Sequence, residues 1–405
     1  MVQTDAGWGA GPSARYEDLA TGFRPVFARI RATAVTRDRE RTLPHEEIGW
    51  LKQAGFTTLR LARDAGGFDA SLPELFNLLI ELSQADPNVT NALRAHFGFT
   101  EDMLCSSSDA WRARWIGRIG DRETVGSGVS ETGEAKVGQF DTVLRPDGAQ
   151  WRLDGRKFYT TGSLFADWIH VSAQDEAGVA MVAAVPVRAP GVEILDDWDG
   201  FGQALTASGT AVFTNVGLGP ELIKPDPERF PYAMAFFQLV HLATLAGIGR
   251  SAALDVTRLV AERQRVYSHG NGSRSGDDPQ VQQVVGRVRG AAYAAGAIVL
   301  KAAESLERTY AVHRTGRSAE STAAIADVEV NQAVSVVTNL VLEATTTLFD
   351  ALGASAVKGG HGLDRHWRNA RTIASHNPRI YRDRTVGDFA VNGTAPPRQY
   401  RVGSA

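Results

Sequence analysis

One cysteine, Cys105, is all the thiol that this 405-residue chain carries. That excludes an intrachain disulfide framework and a thiolate-rich metal site, and it fits a cytoplasmic protein. Charge of one sign is missing too. Lys and Arg total 43 against 46 Asp and Glu, a formal net charge of −3, so nothing favours nucleic acid or a membrane surface as a partner. No stretch approaches the roughly 18–20 uninterrupted apolar residues that span a bilayer. The longest candidate, YAMAFFQLVHLATLAGIG, is broken by Gln238, His241 and Thr244. The opening MVQTDAGWGAGPSARYED has no basic stretch leading into an apolar core, so no secretory leader is expected. The expectation is a soluble, cytoplasmic protein.

Catalytic signatures are as scarce. Neither G-x-S-x-G nor G-x-x-x-x-G-K-[ST] occurs, which removes the commonest hydrolase and NTPase readings. Nine histidines invite a metal, but His361 and His366 stand five apart and no H-E-x-x-H is present. GIGRSA (247–252) matches a dinucleotide fingerprint in letters only, because helix-like sequence precedes it where a strand is required. Its glycines are expected to let another helix approach.

What is present falls into three segments after a short lead-in, residues 1–14, expected to be flexible. Residues 15–124 place apolar side chains at three- and four-residue spacing, which predicts amphipathic helices. Within them, Ser71, Pro73 and Glu74 mark a helix start. Residues 125–222 switch to short β-branched runs, with Asp154-Gly155 predicting a hairpin turn. Residues 223–405 return to helices. The stretch from Asp278 to Gly316 predicts one helix of about 36 residues, roughly 54 Å at 1.5 Å per residue. The following AESTAAIADVEVNQAVSVVTNLVLEATTTLFDALGA is comparable, and helices of this length point to a bundle. The fold class is α+β, in the order helical, β, helical.

Between the first two segments lies GSGVSETGEAKVGQF (126–140), whose small residues expose backbone N–H groups and hydroxyls. GSGVSETG, followed by GRKFYTTGSLFADWIHV, resembles the flavin-binding core of the acyl-CoA dehydrogenase superfamily. AERQRVYSHGNGSRSGDDPQVQQVVG is similar to the superfamily's helix–loop–helix around the flavin tail. The resemblance spans nearly the whole chain. It implies an N-terminal helical domain, a central β-barrel or sandwich and a C-terminal four-helix bundle. A flavin ring needs an apolar slot and a few hydrogen bonds at its polar edge. Ser127, Val129, Ser130 and Thr132 are the expected donors on one side, and Thr160, Thr161 and Ser163 on the other. Trp168 is expected to wall the ring. The plainer alternative is a Gly/Ser loop that only turns and a hydroxyl-rich strand that only caps.

A dehydrogenase of that superfamily needs a carboxylate base. Here His376 and Asn377 stand at the usual position, and HLATLAGIGRS, where other members carry the base, has no acid. LGAS, LDRHWRNART, SHNP and VNGTAPP instead resemble the flavin-dependent monooxygenase branch, and RAHFGF (94–99) is similar to a helix that presents a histidine to the flavin. The resemblance implies His96, Ser163 and His376 as the catalytic neighbourhood. It implies a C4a-(hydro)peroxyflavin that oxygenates a small, organosulfur substrate with O2. Reduced FMN is expected rather than FAD, supplied by a separate NAD(P)H:flavin reductase. Arg263 or Arg265 would hold the phosphate across a subunit interface, implying a homotetramer. Ser355 occupies a flavin-associated position where the dibenzothiophene enzymes carry Arg, which argues against that substrate. Three alternatives stay open: an acyl-CoA dehydrogenase with another base, an N-oxygenase of an amine, and a catalytically silent flavoprotein. A packed core His96 and a helix-capping His376 are the bland readings of the two imidazoles.

Overall fold

Ser71 shows how closely local sequence sets the helices. Its Oγ accepts from the Glu74 amide at 3.3 Å, and the Glu74 carboxylate accepts from the Ser71 amide at 2.8 Å. This reciprocal cap satisfies two amides that the first turn would leave unbonded. It opens α3 (Leu72–Ala85), which is apolar nearly all round and buried along most of its length. The computed structural model describes residues 6–132, 140–225 and 229–397. Around α3 stand α1 (Tyr16–Glu40), α2 (His45–Gln53), α4 (Pro87–Ala92), α5 (Arg94–Cys105) and α6 (Asp109–Gly120).

The strands follow as β1 (Val125–Gly128), β2 (Val143–Asp147), β3 (Gln150–Lys157), β4 (Trp168–Gln174), β5 (Ala180–Pro186), β6 (Val192–Ile194) and β7 (Ala211–Leu218). They form one curled, seven-stranded sheet in the order β1-β4-β2-β3-β7-β6, with β5 also paired to β4. The hairpin expected at Asp154-Gly155 is not there. β2 turns into β3 at Asp147–Gln150, and Gly155 lies inside β3 where the register against β7 shifts. The sequence contains two Asp-Gly pairs in this region, and the second is needed for another reason. A Cβ on Gly155 would sit 2.6 Å from the Thr142 Cα, a close approach that only glycine permits.

The rest is helical: α7 (Ala233–Glu262), α8 (Pro279–Arg314), α9 (Glu320–Thr347), α10 (Asp364–Ser375) and α11 (Arg382–Asn392). Asp278 caps α8, its side chain accepting from the Gln280 amide at 2.8 Å, and the helix runs 36 residues. α7, α8 and α9 pack on one another, with α10 against α7 and α9 and with α3 against α7 and α8. The GIGRSA glycines lie in the middle of α7. A Cβ on Gly247 would meet the Ile80 carbonyl of α3 at 2.5 Å, and one on Gly249 would meet Ala292 of α8 at 3.3 Å. They are helix-contact glycines. α7 and the helical stretch Glu320–Ala351 are long and apolar enough to cross a membrane by length and composition, but the apolar window of α7 is 89% buried inside the protein. Residues 6–14, expected to be flexible, lie on the bundle, where the Arg289 and Arg250 guanidiniums cover Trp8 at 4.3 and 5.1 Å.

α5 packs against β1 on one side and α7 on the other. It joins the sheet to the bundle, and the candidate site lies along that seam.

Candidate active site

The opening loop is zipped to the end of β3. The Ser127 amide donates to the Thr161 carbonyl at 3.3 Å, the Phe158 amide to the Ser130 carbonyl at 2.9 Å, and the Ser163 hydroxyl to the Ser127 carbonyl at 2.9 Å. A Cβ on Gly126 would lie 2.5 Å from the Ser163 Cα, so glycine is what lets the two segments close. Glu131 locks the far end, accepting from the Asp141 and Thr142 amides at 2.7 and 3.1 Å and from the buried Lys157 ammonium. Ser130 and Thr132 are left exposed, and Ser127 and Val129 half-buried. Residues 133–139 of the motif lie outside the described residues.

The two segments expected on either side of a flavin are bonded directly to each other, and several of their hydroxyls are engaged within the protein. The Thr160 hydroxyl donates to the Gly209 carbonyl at 2.9 Å, and Thr161 bonds Ser208 at 2.7 Å. Together with Ser163 they hold the turn, and because Thr160 and Ser163 donate within the protein, those two offer lone pairs rather than protons to a ligand. Trp168 is elsewhere. Its indole N–H donates to Glu123 at 2.6 Å, and its ring packs edge-on against Trp115 beneath the sheet. The alternation of β4 points it into the core, so it does not wall a flavin.

His96, on α5, is 1% exposed. Its Nε2 lies 2.7 Å from the Thr57 carbonyl. A carbonyl only accepts, so Nε2 carries the proton and Nδ1 keeps a buried lone pair without a partner. Burial pushes the imidazole down to about 4, so it is neutral at pH 7. The turn bearing Ser163 runs against the start of this region, where Gly162 abuts the Ala92 carbonyl.

His376 follows the last residue of α10, accessible to water. Its ring meets His241 of α7 edge to face, with centroids 4.3 Å apart. His241 was not singled out from the sequence. It is 1% exposed, and neither ring nitrogen has a hydrogen-bond partner. An orphaned buried imidazole is costly unless something else binds there. One turn earlier on the same helix, Phe237 carries Arg94: its Nε donates to the Phe237 carbonyl at 3.1 Å, and the guanidinium lies 4.8 Å over the ring. Burial, then Arg94, holds His241 below the ordinary imidazole range; packing of its ring against His241, then Arg94, moves His376 the same way although the residue stays accessible to water. Gln238 fixes the geometry, its Oε1 accepting from Asn377 at 3.1 Å and from Arg382 at 3.4 Å. The clue to His241 was its place at the head of HLATLAGIGRS, where an acid was the expected signal and an imidazole stands instead.

Arg263, Arg265 and Ser355 form a separate group. Arg263 ends α7 and donates to the Leu352 carbonyl, which also accepts from the Ser355 hydroxyl at 3.0 Å. Arg265 and Ser355 are exposed. Arg263 stands 22 residues beyond His241, about 33 Å along the helix at 1.5 Å per residue. No single flavin mononucleotide touches both ends within one chain.

Residues 239–378 match the family model described as acyl-CoA dehydrogenase, C-terminal domain. The chain is 25% identical over 386 residues to the "probable FMNH2-dependent monooxygenase SfnC" of Pseudomonas putida, covering 92% of this chain and 94% of that one. Among solved structures, FMN-bound TdsC from Paenibacillus sp. A11-2 superposes with a TM-score of 0.86 at 25% identity, covering 94% and 98% of the two chains. Methanesulfinate monooxygenase MsuC from Pseudomonas fluorescens gives 0.85 at 25% identity, with the same coverage. Along most of its length the chain is similar to flavin-dependent monooxygenases, and residues 239–378 carry the acyl-CoA dehydrogenase C-terminal pattern. The donor set fits the cofactor that those relatives' names carry. Backbone amides and hydroxyls at 127–132, with unpartnered neutral imidazole nitrogens across the α5 seam, suit the polar edge of a flavin.

Proposed function

We propose that this chain is the oxygenase of a two-component flavin monooxygenase acting on a small organosulfur compound. The observation that carries the reading is the His241–His376 pair. It occupies the place where a thioester dehydrogenase needs a carboxylate, and burial, Arg94 and the neighbouring imidazole or amide are what act on these rings, with no acid among them. The names of relatives agree: SfnC is called FMNH2-dependent, TdsC binds FMN and MsuC is a methanesulfinate monooxygenase. FMN is accordingly the cofactor, reduced by a separate NAD(P)H:flavin reductase in the cytoplasm. When bound, reduced FMN supplies two electrons to O2, so that one oxygen atom reaches the substrate and the other leaves as water.

The chain's own residues set the conditions for that chemistry. Residues 127–132 offer amides and hydroxyls to the cofactor's edge. His241 and His376, held neutral, each present one N–H and one lone pair. They orient a polar oxygen and take up a proton, but they are not standing acids at pH 7. The burial of His241 keeps bulk water from the reacting atoms on that side. A protonated amine would meet the Arg94 and Arg229 guanidiniums without a carboxylate to receive it, which disfavours N-oxygenation. Because Arg263 and Arg265 lie at the far end of α7, a second copy would bring them to the flavin phosphate. We read the assembly as a homotetramer, consistent with the exposed Tyr293, Ile325 and Val336 on the outer faces of α8 and α9.

The deciding experiment combines the protein with FMN, NADH, a flavin reductase and a panel of organosulfur compounds under isotopically labelled O2. A product carrying one labelled oxygen is expected. If instead an acyl-CoA bleached the bound flavin without oxygen and no labelled product formed, the dehydrogenase reading would replace this one.

A further inference from the structure

Two arginines beside the imidazole pair have no counter-charge among the described residues. Arg94 and Arg229 both stack on Phe237, with their guanidiniums 4.8 and 5.3 Å from the ring centre. Among the described residues Arg94 bonds through its Nε alone. Among the described residues no carboxylate lies within ion-pair distance of either guanidinium; the nearest acid to influence Arg229 is Asp102, which is bonded to Lys224 at 3.0 Å. Fully buried cations such as Arg37, Arg60 and Arg365 are matched, by Glu47 and Asp86, Glu101 and Asp255, whereas Arg94 is half-buried and Arg229 exposed. Two like charges brought to one aromatic ring at the solvent edge, with no acid between them, repel one another, and an anion entering from solvent relieves that repulsion.

We infer that Arg94 and Arg229 form a clamp for an oxyanion headgroup on the substrate, seated over Phe237 and against His241 and His376. The substrate class is then a small organosulfur or related compound that already carries a sulfinate- or carboxylate-type anion, not a neutral thiophene or sulfide. Guanidinium forks match the paired oxygens of such a group. This rests on the oxygenase reading above. The other source of an oxyanion is the FMN phosphate, but Arg263 and Arg265 are the cations assigned to it, at the opposite end of α7.

The test is calorimetric binding to the full chain without flavin, using sodium methanesulfinate and sodium benzenesulfinate, with dimethyl sulfone as the neutral probe. A sulfinate is expected to bind saturably and at least tenfold tighter than the sulfone. Arg94→Gln and Arg229→Gln each weaken sulfinate binding at least tenfold and leave the sulfone unchanged, while Arg94→Lys restores part of it. Should Arg94→Gln fail to fold, Arg229→Gln decides the matter by itself. Sulfinates that bind no better than the sulfone, or as well to both Gln variants, overturn the clamp. So does a variant that loses the preference for FMN over riboflavin, since the arginines would then serve the cofactor phosphate. Sulfinate binding that behaves as expected, with no oxygenated product when reductase and FMN are added, supports the clamp and removes the oxygenase reading alone.

Discussion

His376 and His241 touch edge to face, and neither can be treated as a free imidazole. His241 is held down by burial and by Arg94, His376 by the packing of its ring and by Arg94, and His96 by burial to about 4. A free imidazole exchanges protons near about 6.5. The structure instead predicts that kcat/KM shows no step there, which a pH profile checks. His376→Ala should cut product formation about a hundredfold or more, the range of lost acid–base and orienting contacts, while H2O2 release rises because oxygen reduction no longer couples to the substrate. Cys105 is excluded from such chemistry: burial and the nearby Glu101 push its thiol up to about 12. Glu74 gives a stability prediction. Burial alone would raise its carboxyl, but bonds from Arg15, Ser13 and the Ser71 amide overcome it and hold it at about 2. Its folded value lies below its unfolded one, so its contribution is present above about pH 4.5 and is lost as pH falls towards 2. Discounting for the half-exposed Arg15, that is about 2 kcal/mol. Acid denaturation of Glu74→Gln should lack that part of the slope.

Elements were the most legible level, because they rest on local rules. Ser71→Ala should cost about 1 kcal/mol in urea unfolding, the usual loss for a removed cap. Asp278 and Pro279 likewise started α8 where expected. What the letters did not say is which face of an element meets which neighbour. Asp154-Gly155 has hairpin composition, yet it became a strand irregularity because Thr142 crosses there. The glycines of GIGRSA served helix contact, and the two are not equal. Gly247→Val should destabilise by about 1–3 kcal/mol or block folding, by overpacking against α3. Gly249→Ala, with 3.3 Å to Ala292, should be much milder. Thermal melts of the pair check the contrast.

For the whole molecule, α7 is the axis that links everything. It carries Phe237 and His241 at one end and Arg263 at the other, with α3, α8, α9 and α10 packed along it. If a second copy completes the flavin site, Arg263→Ala should weaken FMN binding about tenfold, as expected for one charge-assisted phosphate contact. It should do so despite lying far from His241, and leave sulfinate binding intact. Sedimentation should then give a tetramer for the wild type. A monomer with unchanged FMN affinity would sink that arrangement.

By itself the sequence determined the order of helical, β and helical segments and the cap residues. Each follows from periodicity or from residue type within a short stretch, and the family resemblance followed from the same stretches. Tertiary structure alone decided that Trp168 faces the core, that Thr160 and Ser163 donate within the protein, and that His241 and Arg94 join His376. Those facts depend on residues from α5, α7 and the end of α10 converging through packing. Convergence of segments more than a hundred residues apart leaves no periodic trace in the chain.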